Sequence, residues 1–287
     1  MEIFELRYFL EVAKFENIHR ASESLNLSPG SLSKTIARLE EELQVNLFTR
    51  SGRNIRLTEQ GQLLKLRAAK IILLEESVRL EVGGNQGQIK VRIAGPEVLL
   101  ARYGVRVANE IGKRLSNIHF DFHACDEKRA LDEVASDESH LAIVTSDLPS
   151  NLTAKILDQI RFVTTVGPKH PLYDKAKTKK PISIEEVLRY EFVVPNHHVF
   201  GGVRDKQSFD GWRDDKFSRR IKFQSSSLAL IETLVEQGKA LAYVPEYYAE
   251  SIGALAIKMT DCPYSCLQKI KLVAHQPEDT GWINRLF

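Results

Sequence analysis

The 287 residues are more than one small core needs and suggest two domains. A hydrophobic content of 43% is enough to fill packed interiors, which excludes general disorder. Lys and Arg total 40 against 38 Asp and Glu, so the net charge of +2 does not argue for or against nucleic acid, and the local distribution has to decide.

The 3 cysteines, Cys125, Cys262 and Cys266, are few and odd in number. The acidic, amphipathic start at Met1, Glu2, Ile3, Phe4 and Glu5 is the opposite of a secretion signal. Together these features point to a reducing, cytoplasmic setting. No apolar run reaches the roughly 18 residues of a membrane span, so no membrane partner is expected.

Through residue 88 the chain contains no aspartate, and its apolar spacing is helical. Leu6, Phe9, Leu10 and Ala13 share one helical face. A second short helix, about 18–25, turns Ala21 and Leu25 inward. Ser28 is a good N-cap, because its hydroxyl can accept from an orphan amide of the next turn, and Pro29 fits the first helical position, where no donor is needed. Leu32, Ile36, Leu39 and Leu43 then mark a buried face, with Ser31, Ser33, Lys34, Thr35 and Arg38 mostly off it. Two helices joined by so tight a turn make a helix-turn-helix.

Leu47 and Phe48 precede a turn-rich stretch, Ser51, Gly52, Arg53 and Asn54, and Ile55, Arg56 and Leu57 follow, as in a short hairpin or wing. Between Leu43 and Thr58 stand the 3 arginines Arg50, Arg53 and Arg56, with no acidic residue. Thr58 can cap a long helix to about Val82. Leu57, Leu64, Ile71 and Val78 recur every seven residues, and Leu66, Leu73 and Leu80 do so on nearly the opposite side. A helix apolar on two faces needs two partners, here the winged domain and a second chain; the plainer alternative is burial in one monomeric core.

Residues 83–88 have the composition of a linker. Beyond them the period changes. Strands are expected at 89–93, 119–123, 141–144, 162–166, 192–194, 221–223, 241–244 and 270–274, with helices at 98–115, 126–136 and 228–237 between them. The alternation indicates a parallel sheet. Two βαβ lobes, with crossovers near Ser146 and Cys262, leave a cleft between them.

In order and spacing, Leu6, Phe9, Ala21, Leu25, Ser28, Ser33, Ile36, Leu39, Glu40, Leu47, Phe48, Arg50, Leu57, Thr58 and Gly61 resemble the LysR-type transcriptional regulators. A weaker likeness continues at Leu141, Ala142 and Ile143 and over residues 235–245. The resemblance implies an α/β chain: a winged helix-turn-helix at 1–58, a dimerising linker helix and hinge at 59–87, and a two-lobed effector domain at 88–287 resembling periplasmic binding proteins. Lobe I would take about 88–161 and 267–287, and lobe II about 162–266. It also implies a sequence-specific regulator of transcription that responds to a small-molecule effector, assembles as homodimers and tetramers of two dimers, and uses no cofactor.

Several positions depart from the family pattern. Pro29-Gly30 stands where many members carry Gln-Pro, so an amide able to read adenine is missing. Gln44 replaces the glycine that often ends the recognition helix. Pro96-Glu97 occupies the region where a hydroxyl residue often follows the first effector-domain strand.

A recognition helix enters the major groove by its N-terminal end. Small residues at Gly30, Ser31 and Ser33 let the backbone approach base edges, Lys34 reaches guanine or phosphate, and Ser28 and Thr35 bond phosphate oxygens. Arg50, Arg53 and Arg56 would contact phosphates or the adjacent minor groove. The acidic run Glu40, Glu41 and Glu42 is expected as a solvated end outside the groove. A dimer then calls for an inverted-repeat site in double-stranded DNA.

Ligands of such sheets bind beyond the carboxyl ends of strands. That places Pro96, Glu97, Val98, Leu99 and Ser146 from one lobe, and His198, Phe200, Gly201, Ser225 and Ser226 from the other, around the effector. Amides and serines favour an anion, which Glu97 opposes unless it turns away, pairs with Arg102 or Arg204, or simply begins a helix. His197 and His198 are adjacent and point apart in a strand, so no metal site is expected there. Cys262 and Cys266 lack the two-residue metal or redox spacing. A solute-binding protein is the second class and lacks a secretion signal. An enzyme is the third, and no nucleophile elbow, phosphate loop or metal spacing supports catalysis.

Overall fold

The computed structural model describes residues 1–51, 54–82, 89–113, 115, 117–202, 206–262, 264–275 and 283. Three helices open the chain: α1 (Ile3–Phe15), α2 (Ile18–Ser24) and α3 (Pro29–Leu43). An antiparallel hairpin follows, β1 (Phe48–Ser51) with β2 (Asn54–Leu57), in register Thr49 to Arg56 and Arg50 to Ile55. The 24-residue helix α4 (Glu59–Val82) comes next.

Caps set these boundaries. The Asn17 side chain accepts from Arg20 N at 3.1 Å, Ser28 Oγ from Ser31 N at 3.1 Å, and Thr58 Oγ1 from Gly61 N at 3.0 Å. Helix α3 ends at Gln44 with φ 55°, a left-handed conformation that a side chain adopts at some cost. Leu6, Phe9, Val12, Ala21, Leu32, Ile36, Leu39 and Leu47 form one core, closed from the side by Ala68 and Ile72 of α4.

Helix α4 differs from its expected heptads. Leu64 and Ile71 pack on the winged core, but Val78 is exposed, as are Leu63, Leu66 and Leu74; the side chains of Leu73 and Leu80 lie outside the described residues. A straight α-helix drifts about 20° per heptad against a strict seven-residue repeat, which carries Val78 off the stripe that Leu64 begins.

Lobe I contains β3 (Ile89–Gly95), α5 (Glu97–Leu99), α6 (Val105–Gly112), β4 (Ile118–Ala124), α7 (Glu127–Ala135) and β5 (Leu141–Val144). A π turn at Leu100–Gly104 interrupts the helix expected over 98–115. The 15-residue β6 (Leu152–Val166) then crosses into lobe II. Lobe II comprises α8 (Tyr173–Lys177), β7 (Ile182–Ser183), α9 (Ile184–Leu188), β8 (Glu191–Pro195), β9 (Arg220–Ser225), α10 (Leu228–Glu236), β10 (Ala242–Pro245), α11 (Glu246–Ser251), β11 (Leu255–Ala256) and β12 (Met259–Thr260). The returning strand is β13 (Leu267–His275).

The parallel-sheet expectation needs correction. Strand β3 pairs parallel with β4 and β5, but β13 runs antiparallel to both β5 and β6, so the large sheet is mixed, in the order β10-β6-β13-β5-β3-β4. The crossings are also not loops near Ser146 and Cys262. They are β6 and β13 themselves, two long paired strands belonging to both lobes. One buried cluster runs from Val91, Ile93, Val98 and Leu99 through Phe162 to Phe200, Trp212 and Tyr243. The deep part of the junction is therefore packed side chain.

Candidate functional site

On α3, Leu32, Ile36 and Leu39 face inward, while Gly30, Ser31, Ser33 and Lys34 are exposed. A methyl group placed on Gly30 would meet no atom within 4 Å, so nothing among the described residues requires glycine there. Pro29 is half-buried at the first helical position. The Ser28 hydroxyl accepts from Ser31 N, and Thr35 Oγ1 donates back to Ser31 O at 3.2 Å; each keeps further hydrogen-bonding capacity.

Arg38 is placed differently from a simple cation on the open face. Its guanidinium pairs with Glu5, through Nε at 2.7 Å and Nη2 at 2.5 Å, and lies over the Phe4 ring. Glu5 is 1% exposed and also accepts from Glu2 N at 2.7 Å. Burial pushes its carboxyl pKa up, but the Glu2 amide and Arg38 outweigh that and hold it below the usual carboxylate value. Arg38 therefore helps tie α3 to α1.

The acidic run is likewise more than a solvated end. Glu40 Oε1 accepts from Leu47 N at 2.7 Å and Phe48 N at 3.1 Å, fixing the entry to the wing, and Glu42 pairs with the amino group of Met1. The N–H groups of Leu47 and Phe48, beyond the end of α3, need acceptors, and the carboxylate of Glu40 supplies one for both. The wing is pinned to the body by Ile55 N donating to Glu16 O at 3.1 Å and Asn17 Nδ2 to Asn54 Oδ1 at 3.0 Å. Arg50 and Arg56 stand exposed on it; Arg53 lies outside the described residues. The hairpin and the open face of α3 together present cations and small polar groups on one small domain.

In the second domain, Val98, Leu99 and Phe200 are 6%, 0% and 1% exposed, and they belong to the packed junction. Pro96 is buried beside them and Glu97 is exposed. Ser225 Oγ accepts from Ser227 N at 2.9 Å within its own turn, and Ser226 is exposed. His198 rests edge-on against Phe209, with ring centroids 4.9 Å apart, and borders a hollow of about 550 Å³ shared with Lys206 and Asp214.

Ser146 meets Gly202, while the adjacent Gly201 packs on Thr145. Ser146 and Gly202 line a cleft of about 890 Å³ between the lobes, with Thr145, Gln159, Gln207, Arg213, Tyr264, Gln268, Lys269 and Lys271. Lys271 Nζ donates to Ser146 O at 2.7 Å, and Gln268 Nε2 to Gly202 O at 2.9 Å. Sequence inspection missed this wall because its residues come from segments far apart in the chain, which only the pairing of β6 with β13 brings beside the loops of both lobes.

His123, Cys125 and Glu133 offer donor atoms within 4.8 Å of one another. Glu133 is already engaged by Arg129, His123 and Ser139, and burial pushes the Cys125 thiol up to about 11, keeping it protonated. Among the described residues, no helix is long and apolar enough to cross a membrane.

Comparison with known proteins places this geometry. Residues 3–62 match the bacterial regulatory helix-turn-helix protein, lysR family, and residues 84–277 match the LysR substrate binding domain. The chain is 28% identical over 267 residues to the transcriptional dual regulator GltC of Bacillus subtilis, covering 90% of this chain and 86% of that one. It is 30% identical over 256 residues to a probable RuBisCO transcriptional regulator of Thalassiosira pseudonana, covering 84% and 80%. Among solved structures, ArgP from Mycobacterium tuberculosis superposes with a TM-score of 0.65 at 17% identity, over 98% of this chain and 93% of that one, a likeness of fold. With its two family domains in order over most of its length, the chain belongs to the LysR family of DNA-binding transcriptional regulators, its second domain being the one that binds effectors in that family.

Proposed function

We propose that the chain works as a cytoplasmic, non-enzymatic homodimer. In this reading α3 lies in the major groove of an inverted-repeat operator, with Gly30, Ser31, Ser33 and Lys34 toward base edges and Ser28, Thr35, Arg50, Arg53 and Arg56 toward the phosphate backbone. Arg38 positions α3 through Glu5. The observation that carries this is the open N-terminal face of α3: exposed, small and cationic, beside an exposed pair of wing arginines. Residues 1–58, 59–87 and 88–287 serve as reader, dimer spacer and sensor.

The effector binds between the lobes, in the cleft walled by Thr145, Ser146, Gln268, Lys269 and Lys271. The cations Lys269 and Lys271 on that wall favour an anionic small molecule. Val98, Leu99 and Phe200 support the closed junction from below.

Gel shift across a salt series tests the reader. Arg56→Ala is expected to weaken every duplex alike and lower the salt slope by about 1, while Lys34→Ala shifts base preference at a cost of about 1–3 kcal/mol. Parent-like binding and selectivity in both variants would refute the placement. A footprint without two-fold symmetry would refute the dimeric operator.

A further inference from the structure

The carboxyl ends of the lobe I strands face the loop after β8, and a side chain marked by no sequence motif sits at this junction. Glu127, the first residue of α7, is 6% exposed. Its Oε1 accepts from Thr145 N at 2.5 Å and Thr145 Oγ1 at 2.9 Å; its Oε2 accepts from Ser146 N at 3.0 Å and from the Ser146 hydroxyl. Two successive backbone N–H groups and two hydroxyls form the donor set that receives a carboxylate or a phosphate edge.

Lobe II closes over the same point. Gly202 N donates to Thr145 Oγ1 at 2.8 Å, so that hydroxyl links the backbone of one lobe to the carboxylate of the other. The approach requires bare glycines. A Cβ on Gly201 would lie 2.6 Å from Thr145 Oγ1 and 3.1 Å from Glu127 Oε1; one on Gly202 would lie 2.5 Å from Ser146 Oγ and 2.8 Å from Glu127 Oε2.

We propose that Glu127 is a resident carboxylate in an anion-binding nest. It holds the lobes together without a ligand and determines specificity by denying that nest to the effector. Its donors are already used, and a second carboxylate there would meet like charge at contact distance. An effector's anionic group is directed instead to the adjoining wall of Arg213, Lys269 and Lys271; this redirection and the denial of the nest rest on the effector role proposed for the cleft.

Thermal melting of the full-length protein with acetate as the probe tests the nest. Glu127→Ala is expected to lower Tm by several degrees. Acetate at tens of millimolar should restore much of that loss in the variant, while sodium chloride at equal ionic strength should not, and the parent should gain nothing from acetate beyond the salt effect. Adding Ser146→Ala to Glu127→Ala should abolish the restoration. An acetate response equal in parent and variant, or absent from a folded Glu127→Ala protein, overturns the proposal. If Glu127→Ala yields no folded protein, Glu127→Gln decides: it keeps the shape but turns an amide group on four donors, and a parent-like Tm would overturn the role of the charge. Acetate rescue reports on the nest alone, whereas a metabolite titration monitored by DNA binding reports on the effector role, so either can fail without the other.

Discussion

Gly61 shows how one residue ties the wing to the long helix. A Cβ there would lie 2.1 Å from Leu47 O and 2.8 Å from Leu57 Cδ2. In an exposed helix, Gly→Ala gains about 1 kcal/mol. Here the obstacle is backbone, which does not yield cheaply, so Gly61→Ala is expected to lose about 1–3 kcal/mol. Urea unfolding of the full-length protein checks the sign; a stabilised variant would show that α4 and the Leu47 backbone just before β1 can separate freely. Gly61 was legible as part of the family spacing, but its reason was not, because Leu47 O reaches it only through the fold. Arg38 makes the same point. Its position off the buried face was visible in the helical period, yet its partner Glu5 lies 33 residues earlier and no local pattern connects them.

Among the elements, α4 has the clearest unmet need. Leu63, Leu66, Leu74 and Val78 are 58%, 50%, 65% and 49% exposed, while Ala68 and Ile72 are buried against the winged core. An open apolar stripe of this kind on a long helix fits the second copy proposed above. Leu74→Glu is expected to weaken dimerisation by about 2 kcal/mol or more, beyond tenfold in Kd, read by sedimentation equilibrium. Unchanged association would move the dimer contact elsewhere. The two-faced character of the helix was apparent from its leucines. The membership of each face was not, because a seven-residue repeat and a 3.6-residue turn drift apart over the length of the helix.

At the scale of the whole molecule, α4 also touches lobe I, so the DNA-binding and sensing halves share a polar junction. Glu76, 8% exposed, receives Arg7 Nη1 of α1 at 3.0 Å and lies 3.9 Å from Arg92 of β3 and 3.5 Å from His140 Nε2. Arg92 N donates to His140 Nδ1 at 3.1 Å, which assigns the neutral ring's proton to Nε2, facing Glu76. Asp137, Lys70 and His275 adjoin the same group. Burial lowers the His140 pKa below its ordinary value of 6.5 despite Glu76. Burial pushes Glu76 up, but His140, Arg92 and Arg7 hold it below its ordinary 4.5.

The signs follow from linkage. A histidine with a depressed folded pKa contributes stability above its unfolded pKa and loses it as the pH falls toward the folded value; the depressed carboxyl loses its contribution only in more acid solution, below its own unfolded value. Tm is therefore expected to fall as the pH drops below the ordinary histidine value of 6.5, and to fall less in His140→Asn, whose amide can still accept from Arg92 N. Identical slopes in the two proteins would remove His140 from the junction's pH response.

What the sequence alone determined was the reader's three helices and wing, the alternation of strand and helix in lobe I, and the two-lobed class. These depend on local periods and caps that each segment carries by itself. Tertiary structure decided the tenancy of the cleft, the mixed sheet and the ion pairs. Glu127 meets Thr145 across 18 residues and Arg7 meets Glu76 across 69, and such pairs arise only when the closed chain brings their backbones together. A charged side chain reads as solvated in a linear pattern. Whether it becomes a buried link depends on which donors surround it once water has been displaced.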